Sequence, residues 1–556
     1  MARALPVVTD YDFDEEAHGF GEPQETPAQP PSSLPEKLAL ALVGTGLVFF
    51  LIQIVEQLAR AELGDALWLP ALAGSWVGFL SSYVLMGVGA TLYFWLSYKD
   101  THEGIKHDGV YFGSMTAKGA LAWVSGIGIT GFYVLLYWNA EYLSFAVRLC
   151  DPLSVSFTGK PANQWFLYGL LYTVLVLAFG VRTIMKYRHN RYQIVRTLSV
   201  MFFQLGFAFL LPQLLKRLYS FEAYPTYFWP LDYDALFPGT ISDLWNNKGH
   251  LGTFMLFWGL IMTFVATPVL TYFYGKRWYC SWVCGCGGLA ETLGDGYRQL
   301  SDTSTASWSF ERGLIYSVLG FIALTTLLLW GHVQGWLPSG SYVNLHAIAL
   351  GIGLGGSGVL GVLLVRVEGD WRTKGTSARG VLYLLVTLIA CTLAFEGWLL
   401  YQVQNQGMNA TVTLGVALSH LAKLYGFAIG AAFSGVIGVG FYPLLGSRVW
   451  CRFGCPMAAT LGILQRFFSR FRITTNGGQC ISCGNCSTYC EMGIDVRDYA
   501  QRGENIVRAS CVGCGVCAAV CPRGVLKLEN GPPDERWVNQ RPEMSPTGRP
   551  LPSMKD

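Results

Sequence analysis

The sequence predicts a polytopic α-helical membrane protein of about 10 transmembrane helices that ends in a small α+β domain. Three observations carry that expectation. Long apolar runs are almost free of charge, Lys and Arg are unevenly shared between alternate loops, and eight cysteines near the C-terminus repeat one spacing. Composition agrees: hydrophobic residues make up 52% and charged residues 13% of the chain, against roughly 25% charged in a soluble domain. The net charge of +3 sums a basic apolar region with acidic tail segments, and nothing in it points to nucleic acid.

Residues 1–36 are acidic and proline-rich, with Asp10, Asp12, Asp14, Glu15 and Glu16 close together. They lack the basic start and apolar middle of a secretory signal and are expected to form a disordered cytosolic tail. Apolar runs that approach or reach the ~20 residues of a bilayer crossing follow. They lie near 38–59, 75–97, 116–138, 164–181, 197–215 and 251–272, within a first block at 37–272. Four more lie near 313–331, 345–365, 380–401 and 425–446, within a second block at 313–446. With both termini on one side, loops 99–118, 182–196, 273–312 and 366–379 carry 16 Lys and Arg, against 7 in the opposite set. That excess puts those loops, both termini and the C-terminal domain on the cytosolic side of an inner membrane. Lys216 and Arg217 fall on the opposite side at a helix end, where long side chains snorkel. Loop 219–250, with Tyr224, Tyr227, Phe228 and Trp229, fits an aromatic belt at the outer interface.

The eight C-terminal cysteines explain the small domain. Cys480, Cys483, Cys486 and Cys490 form one run, and Cys511, Cys514, Cys517 and Cys521 form the other. Both read C-x2-C-x2-C-x3-C, the ligand spacing for two [4Fe–4S] clusters in a ferredoxin domain, where the last cysteine of each run crosses to the other cluster. Cys480, Cys483, Cys486 and Cys521 are then one ligand set; Cys511, Cys514, Cys517 and Cys490 are the other. A zinc site would leave the third cysteine of each run without a role, and a reducing cytosol argues against disulfides. Gly484, Gly513 and Gly515 relieve crowding where the loops turn. Pro522 follows the second run, whereas Glu491 takes that place in the first. The domain is set at 478–530, with a disordered tail over 531–556. Such clusters carry single electrons, so the chain is expected to be an electron-transfer subunit or oxidoreductase component rather than a stand-alone catalyst.

Four further cysteines stand where two spans end. Gly275-Lys-Arg277-Trp278-Tyr279-Cys280-Ser-Trp-Val-Cys284 and Gly446-Ser-Arg448-Val449-Trp450-Cys451-Arg-Phe-Gly-Cys455 share the pattern G-x-R-x-aromatic-C-x3-C. Similar helices follow, Leu289-Ala290-Glu291-Thr292-Leu293-Gly294 and Met457-Ala458-Ala459-Thr460-Leu461-Gly462, which points to an internal structural repeat. The first copy lies in a cytosolic segment, 273–312, and the second opens the linker 447–477. Cys451, Cys455 and Pro456, the ferredoxin cysteines and Cys490-Glu-Met-Gly-Ile-Asp495-Val resemble the membrane polyferredoxins of the NapH, NosR and CcoG type. The resemblance covers about 251–530 and is weak over the first five spans; Gly285 and Cys286 depart from the C-x3-C-P motif. It implies support of a periplasmic reductase, a dehydrogenase or a respiratory complex through protein redox partners. The alternative is a maturation factor that reduces copper or thiols during oxidase or reductase assembly.

Three readings of Cys280, Cys284, Cys451 and Cys455 stand open, with Cys286 as an alternative ligand. They could hold a further cluster, form a redox dithiol or copper(I) site, or pack a structural turn. Arg277 and Arg448 could pair with thiolates, and lipid phosphates are the favoured partners. At the outer ends of spans lie His250, His332, His346 and His420, candidates for a haem b or a quinone site, although interfacial histidines also simply reach water. Glu396 near the outer end of the ninth span is an in-membrane carboxylate, and Cys150 is expected outside, unpaired and inert. Gly426 and Gly430 are expected to serve close helix packing.

Overall fold

The computed structural model describes residues 33–63, 71–99, 115–336, 422–476 and 479–531. Among them, seven helices are long and apolar enough to cross a membrane. They are α1 (Leu34–Leu63), α2 (Trp76–Lys99), α3 (Ala120–Trp138), α4 (Gln164–Lys186), α5 (Arg191–Tyr219), α6 (Gly249–Tyr274) and, after a short helix α7 (Gly285–Glu291), α8 (Thr305–Val333). An eighth apolar helix, α9 (Ala422–Ile437), is shorter and coincides with the start of the expected tenth span. The eighth and ninth expected spans lie outside the described residues, with Glu396, His346 and His420.

Local signals place the helix starts. Asn163 accepts from the Phe166 N–H to open α4, Asn190 accepts from Tyr192 and Gln193 N–H to open α5, and Ser304 accepts from Ser307 N–H to open α8. Four helices carry π-helical turns, at Leu80–Val84, Phe203–Leu210, Met262–Ala266 and Gly426–Ile437. Gly426 lies against the Tyr233 hydroxyl, so its lack of a side chain lets α9 pack there.

The segment after α5 departs from an interfacial belt. Trp258 donates to the Pro225 carbonyl at 2.8 Å, Thr263 to the Trp229 carbonyl at 3.1 Å, and the Tyr279 hydroxyl to the Thr226 carbonyl at 2.6 Å. Thr263 is midway along α6 and Tyr279 lies beyond its end, so this aromatic segment descends beside α6 instead of lying flat at one face. Side-chain donors take its carbonyls, which meets the hydrogen-bonding need of backbone outside regular structure.

After α9 the chain turns through Gly446 and the second motif into α10 (Pro456–Phe468). Strand β1 (Phe471–Thr475) then pairs antiparallel with β2 (Leu526–Asn530), Ile473 facing Leu528. The two strands bracket the expected domain, 478–530, and its cysteine loops. The linker expected over 447–477 contains one of the domain's two strands. The segment 273–312, expected on the cytosolic side, carries buried charge. Lys276, Arg277, Glu291, Asp295 and Arg298 are all buried in it.

Candidate iron–sulfur site

The last cysteine of the second run meets the first run. Cys480, Cys483, Cys486 and Cys521 line a single cavity, together with Arg497 and Arg523. Cys490 sits instead beside Cys511 and Cys517 and pushes both thiols up; burial is the larger cause at each, and Cys511 reaches about 11. Ser482, Gly484, Gly513 and Gly515 hold positive φ in the two loops. Backbone N–H groups turn toward sulfur, from Val525 to Cys521 at 3.3 Å and from Gly513 to Cys511. Soft donors in fours, with N–H groups aimed at them, suit an iron–sulfur cluster. Bare thiolates in this burial are costly, so bound metal is what would keep them ionised. The sets differ in exposure: Cys483 is exposed, while Cys511 and Cys517 are buried.

The paired motifs are a structural repeat. Gly275 (φ 67°, ψ −175°) and Gly446 (φ 93°, ψ 172°) occupy the same region, which is essentially closed to other residues. Cys284 N–H donates to the Tyr279 carbonyl at 2.8 Å, and Cys455 N–H to the equivalent Trp450 carbonyl at 3.0 Å. Both second cysteines stand at the N-cap of the following helix, where the Cys455 sulfur accepts from Ala458 N–H. The repeat brings Cys280, Cys284, Cys451 and Cys455 into one buried core with Phe228, Tyr279 and Trp450, each sulfur residue less than 10% exposed. Burial pushes the Cys280 thiol up to about 12, with Cys451 and Cys284 adding to it. Cys286 is half-buried against this core, and its thiol donates to Cys284, bringing Cys284 down to about 7. Among the described residues no three of these sulfurs gather within 4.8 Å of one another. A single tetrahedral zinc or copper ion would need closer sulfurs, whereas a cubane spreads its ligands over four irons.

A cavity lined by Lys276, Cys451, Met492 and Ala509 joins this core to the second cysteine loop. Around that junction lies a buried charge network that the sequence reading missed. Glu291 receives Arg196, Arg298 at 2.5 Å and Arg448 at 2.6 Å. Arg298 also meets Asp295 and Glu491, each at 2.8 Å, and Lys186 meets Asp295 at 2.8 Å. Burial alone would raise the Glu291 pKa, but Arg196, Arg298 and Arg448 outweigh it and hold the carboxyl well below its usual range. Arg448 is therefore no lipid anchor. Arg277 is not one either, since its guanidinium lies over the Phe471 ring at 4.5 Å. The available signal was Glu291 itself, an acid in an apolar motif whose second copy has Ala459.

Other candidates stay apart. His250 is exposed at the start of α6 and His332 half-buried near the end of α8, both at helix ends remote from the cysteines. Cys150 is fully buried, its thiol directed at the Ala146 carbonyl. Lys216 pairs with Glu222 at 2.9 Å. Glu291, Glu491 and Cys514 come within 4.8 Å of one another, but arginines already cover both carboxylates.

Comparison with known proteins fits this geometry. Residues 479–526 match the family described as a 4Fe-4S dicluster domain. Residues 256–301 and 427–474, the two motif copies, each match a 4Fe-4S binding domain. The chain carries iron–sulfur binding domains. A protein of Escherichia coli (strain K12) named as a candidate electron transport protein, YccM, is 39% identical over 49 residues. That match spans 9% of this chain and 13% of the relative's length. No solved structure matches the chain.

Proposed function

We propose that the chain is a membrane-bound iron–sulfur electron-transfer protein of the polyferredoxin type. On this reading about ten helices span an inner membrane, with both termini cytosolic. Two [4Fe–4S] clusters, on Cys480, Cys483, Cys486 and Cys521 and on Cys511, Cys514, Cys517 and Cys490, supply one-electron transfer when bound. The paired cysteines Cys280, Cys284, Cys451 and Cys455 hold a third. The observation that carries the reading is that cysteines of both ferredoxin runs and of both paired motifs pack in one buried core, with Cys483 left exposed to a soluble redox partner.

The protein's own residues seat these cysteines. Tyr192 donates to the Gly513 carbonyl, Gln193 to Cys514, Ser281 to Val512 and Gln465 to Cys511, all within 3.0 Å. These bonds hold the inner cysteine loop against the helices. Reduction of copper or thiols during oxidase or reductase assembly would require the paired cysteines to meet a substrate, and their burial favours a bound cluster instead.

The test is metal analysis with electron paramagnetic resonance on full-length protein purified without oxygen. Three clusters require about twelve irons per chain, with matching labile sulfide. Cys486→Ser, Cys517→Ser and Cys451→Ser should each remove or alter a different signal. Protein without iron or labile sulfide overturns the reading; about eight irons, with Cys451→Ser silent, removes the third cluster alone.

A further inference from the structure

We infer that Glu491 and Glu291 tie Arg298 and Arg448 into a buried ring that couples the paired-cysteine cluster to the Cys514 cluster and sets the potential of both. The inference rests on the proposal that the paired cysteines hold a cluster. Arg448 Nη1 donates to Cys451 Sγ at 3.5 Å and to the Cys280 carbonyl at 3.1 Å. Arg298 Nη1 reaches Cys514 Sγ at 3.9 Å and donates to Glu491 Oε2 at 2.8 Å. Each guanidinium thus touches a sulfur of a different site.

Two carboxylates join the two guanidiniums. Glu291 accepts from Arg448 Nη2 at 2.6 Å through one oxygen and from Arg298 Nη2 at 2.5 Å through the other. Glu491 bonds Arg298 through Oε2 and makes an ion contact of 3.1 Å with Arg448 Nε through Oε1. That second contact lacks hydrogen-bond direction, leaving both atoms without a directed partner. None of the four side chains is more than 2% exposed, so neither water nor salt screens them. Hydrogen bonds and charge at the sulfurs are the protein's means of setting a cluster's potential.

The sequence marks the same place. Proline after the last cysteine offers neither charge nor N–H, and Pro522 keeps that neutral residue after Cys521, the ligand of the exposed site. Glu491 follows Cys490, which lies beside Cys511. An acid stands at the junction of the two inner sites, whereas the outer site has Arg497 and Arg523 at its cavity and no acid after its last cysteine. Removing the Glu491 charge leaves two guanidiniums less compensated beside two sulfurs. The reduced, more negative cluster is then favoured at both.

The experiment is a redox titration followed by electron paramagnetic resonance on full-length, anaerobically purified Glu491→Gln protein, with signals assigned by the cysteine variants. The paired-cysteine and Cys514 signals should both move up by about tenfold in the reduction equilibrium, about 59 mV for one electron. The Cys480 signal should stay, and Glu491→Asp should restore both inner potentials at unchanged iron content. If Glu491→Gln does not load iron, Arg448→Lys is titrated instead. It keeps the charge but loses the N–H directed at Cys451, so the paired-cysteine potential alone should fall. No shift, a uniform shift of all three signals, or a shift confined to the Cys514 signal overturns the ring as a coupling device. Wild-type protein with only two signals overturns the third-cluster reading and the ring with it, an outcome separate from three signals that fail to shift together.

Discussion

Glu291 receives three guanidinium groups at a point where its side chain and theirs are cut off from water. Such a pairing adds little net stability over an apolar packing of the same shape, but breaking one side of it is costly, about 3–5 kcal/mol. Glu291→Gln should therefore destabilise the protein by about that amount, read as a lower midpoint in thermal or denaturant unfolding in detergent. Glu291→Asp should recover part of the loss. The residue types of this network were visible in the sequence, and Glu491 stood out as the replacement for a proline. Their partners were not. An arginine at a helix end looks the same in sequence whether it faces lipid phosphate, as expected for Arg277 and Arg448, or an aromatic ring and a buried carboxylate, as found.

At the scale of elements, the glycine that opens each paired-cysteine motif has a geometric reason. Gly446 carries φ 93° with an extended ψ, and a Cβ there would strike Ser301. Gly446→Ala should cost about 1–3 kcal/mol from the backbone alone. Unfolding should show that loss, and metal analysis should show reduced iron at the paired cysteines before the ferredoxin cysteines. This motif was legible because local geometry dictates residue type at fixed spacing. The same holds for the two C-x2-C-x2-C-x3-C loops, where Cys521 shares a cavity with the first run. The π-helical turns were not legible, because a one-residue shift of hydrogen bonding leaves the apolar composition of a span unchanged. Nor was strand β1 recognised, since five residues following a helix gain their identity only by pairing with β2.

For the whole molecule, the ferredoxin domain is a seated part of the helical assembly and not a tethered module. Its inner loop, around residues 508–514, is held by Tyr192, Gln193, Lys276, Ser281 and Gln465, whereas the Cys480–Cys483 loop faces outward. Hydrogen exchange should be markedly slower at 508–519 than at 480–487, and Gln465→Ala should speed the inner loop without affecting the outer one. Equal exchange in both loops would mean that the domain is not seated this way. The seating also changes the meaning of the charge count. Of the basic residues that set the expected orientation, Arg182, Lys186, Arg196, Lys276, Arg277, Arg298 and Arg312 are buried. Lys186 and Arg196 pair with Asp295 and Glu291, and Arg196 and Lys276 also donate to loop carbonyls of the docked domain. The excess of Lys and Arg on that side therefore reflects docking as well as any preference of the membrane.

Sequence alone determined the cysteine spacings, the internal repeat and the apolar helices, because residue spacing, a glycine-only turn and hydrophobic run length are properties of a few consecutive residues. Tertiary structure decided that the paired cysteines beyond α6 and α9 meet, that the aromatic segment descends beside α6, and that Glu491 closes a ring with Glu291. Those outcomes depend on burial far apart in the chain. A charge taken out of water must find its opposite, and only the folded arrangement decides which one it finds.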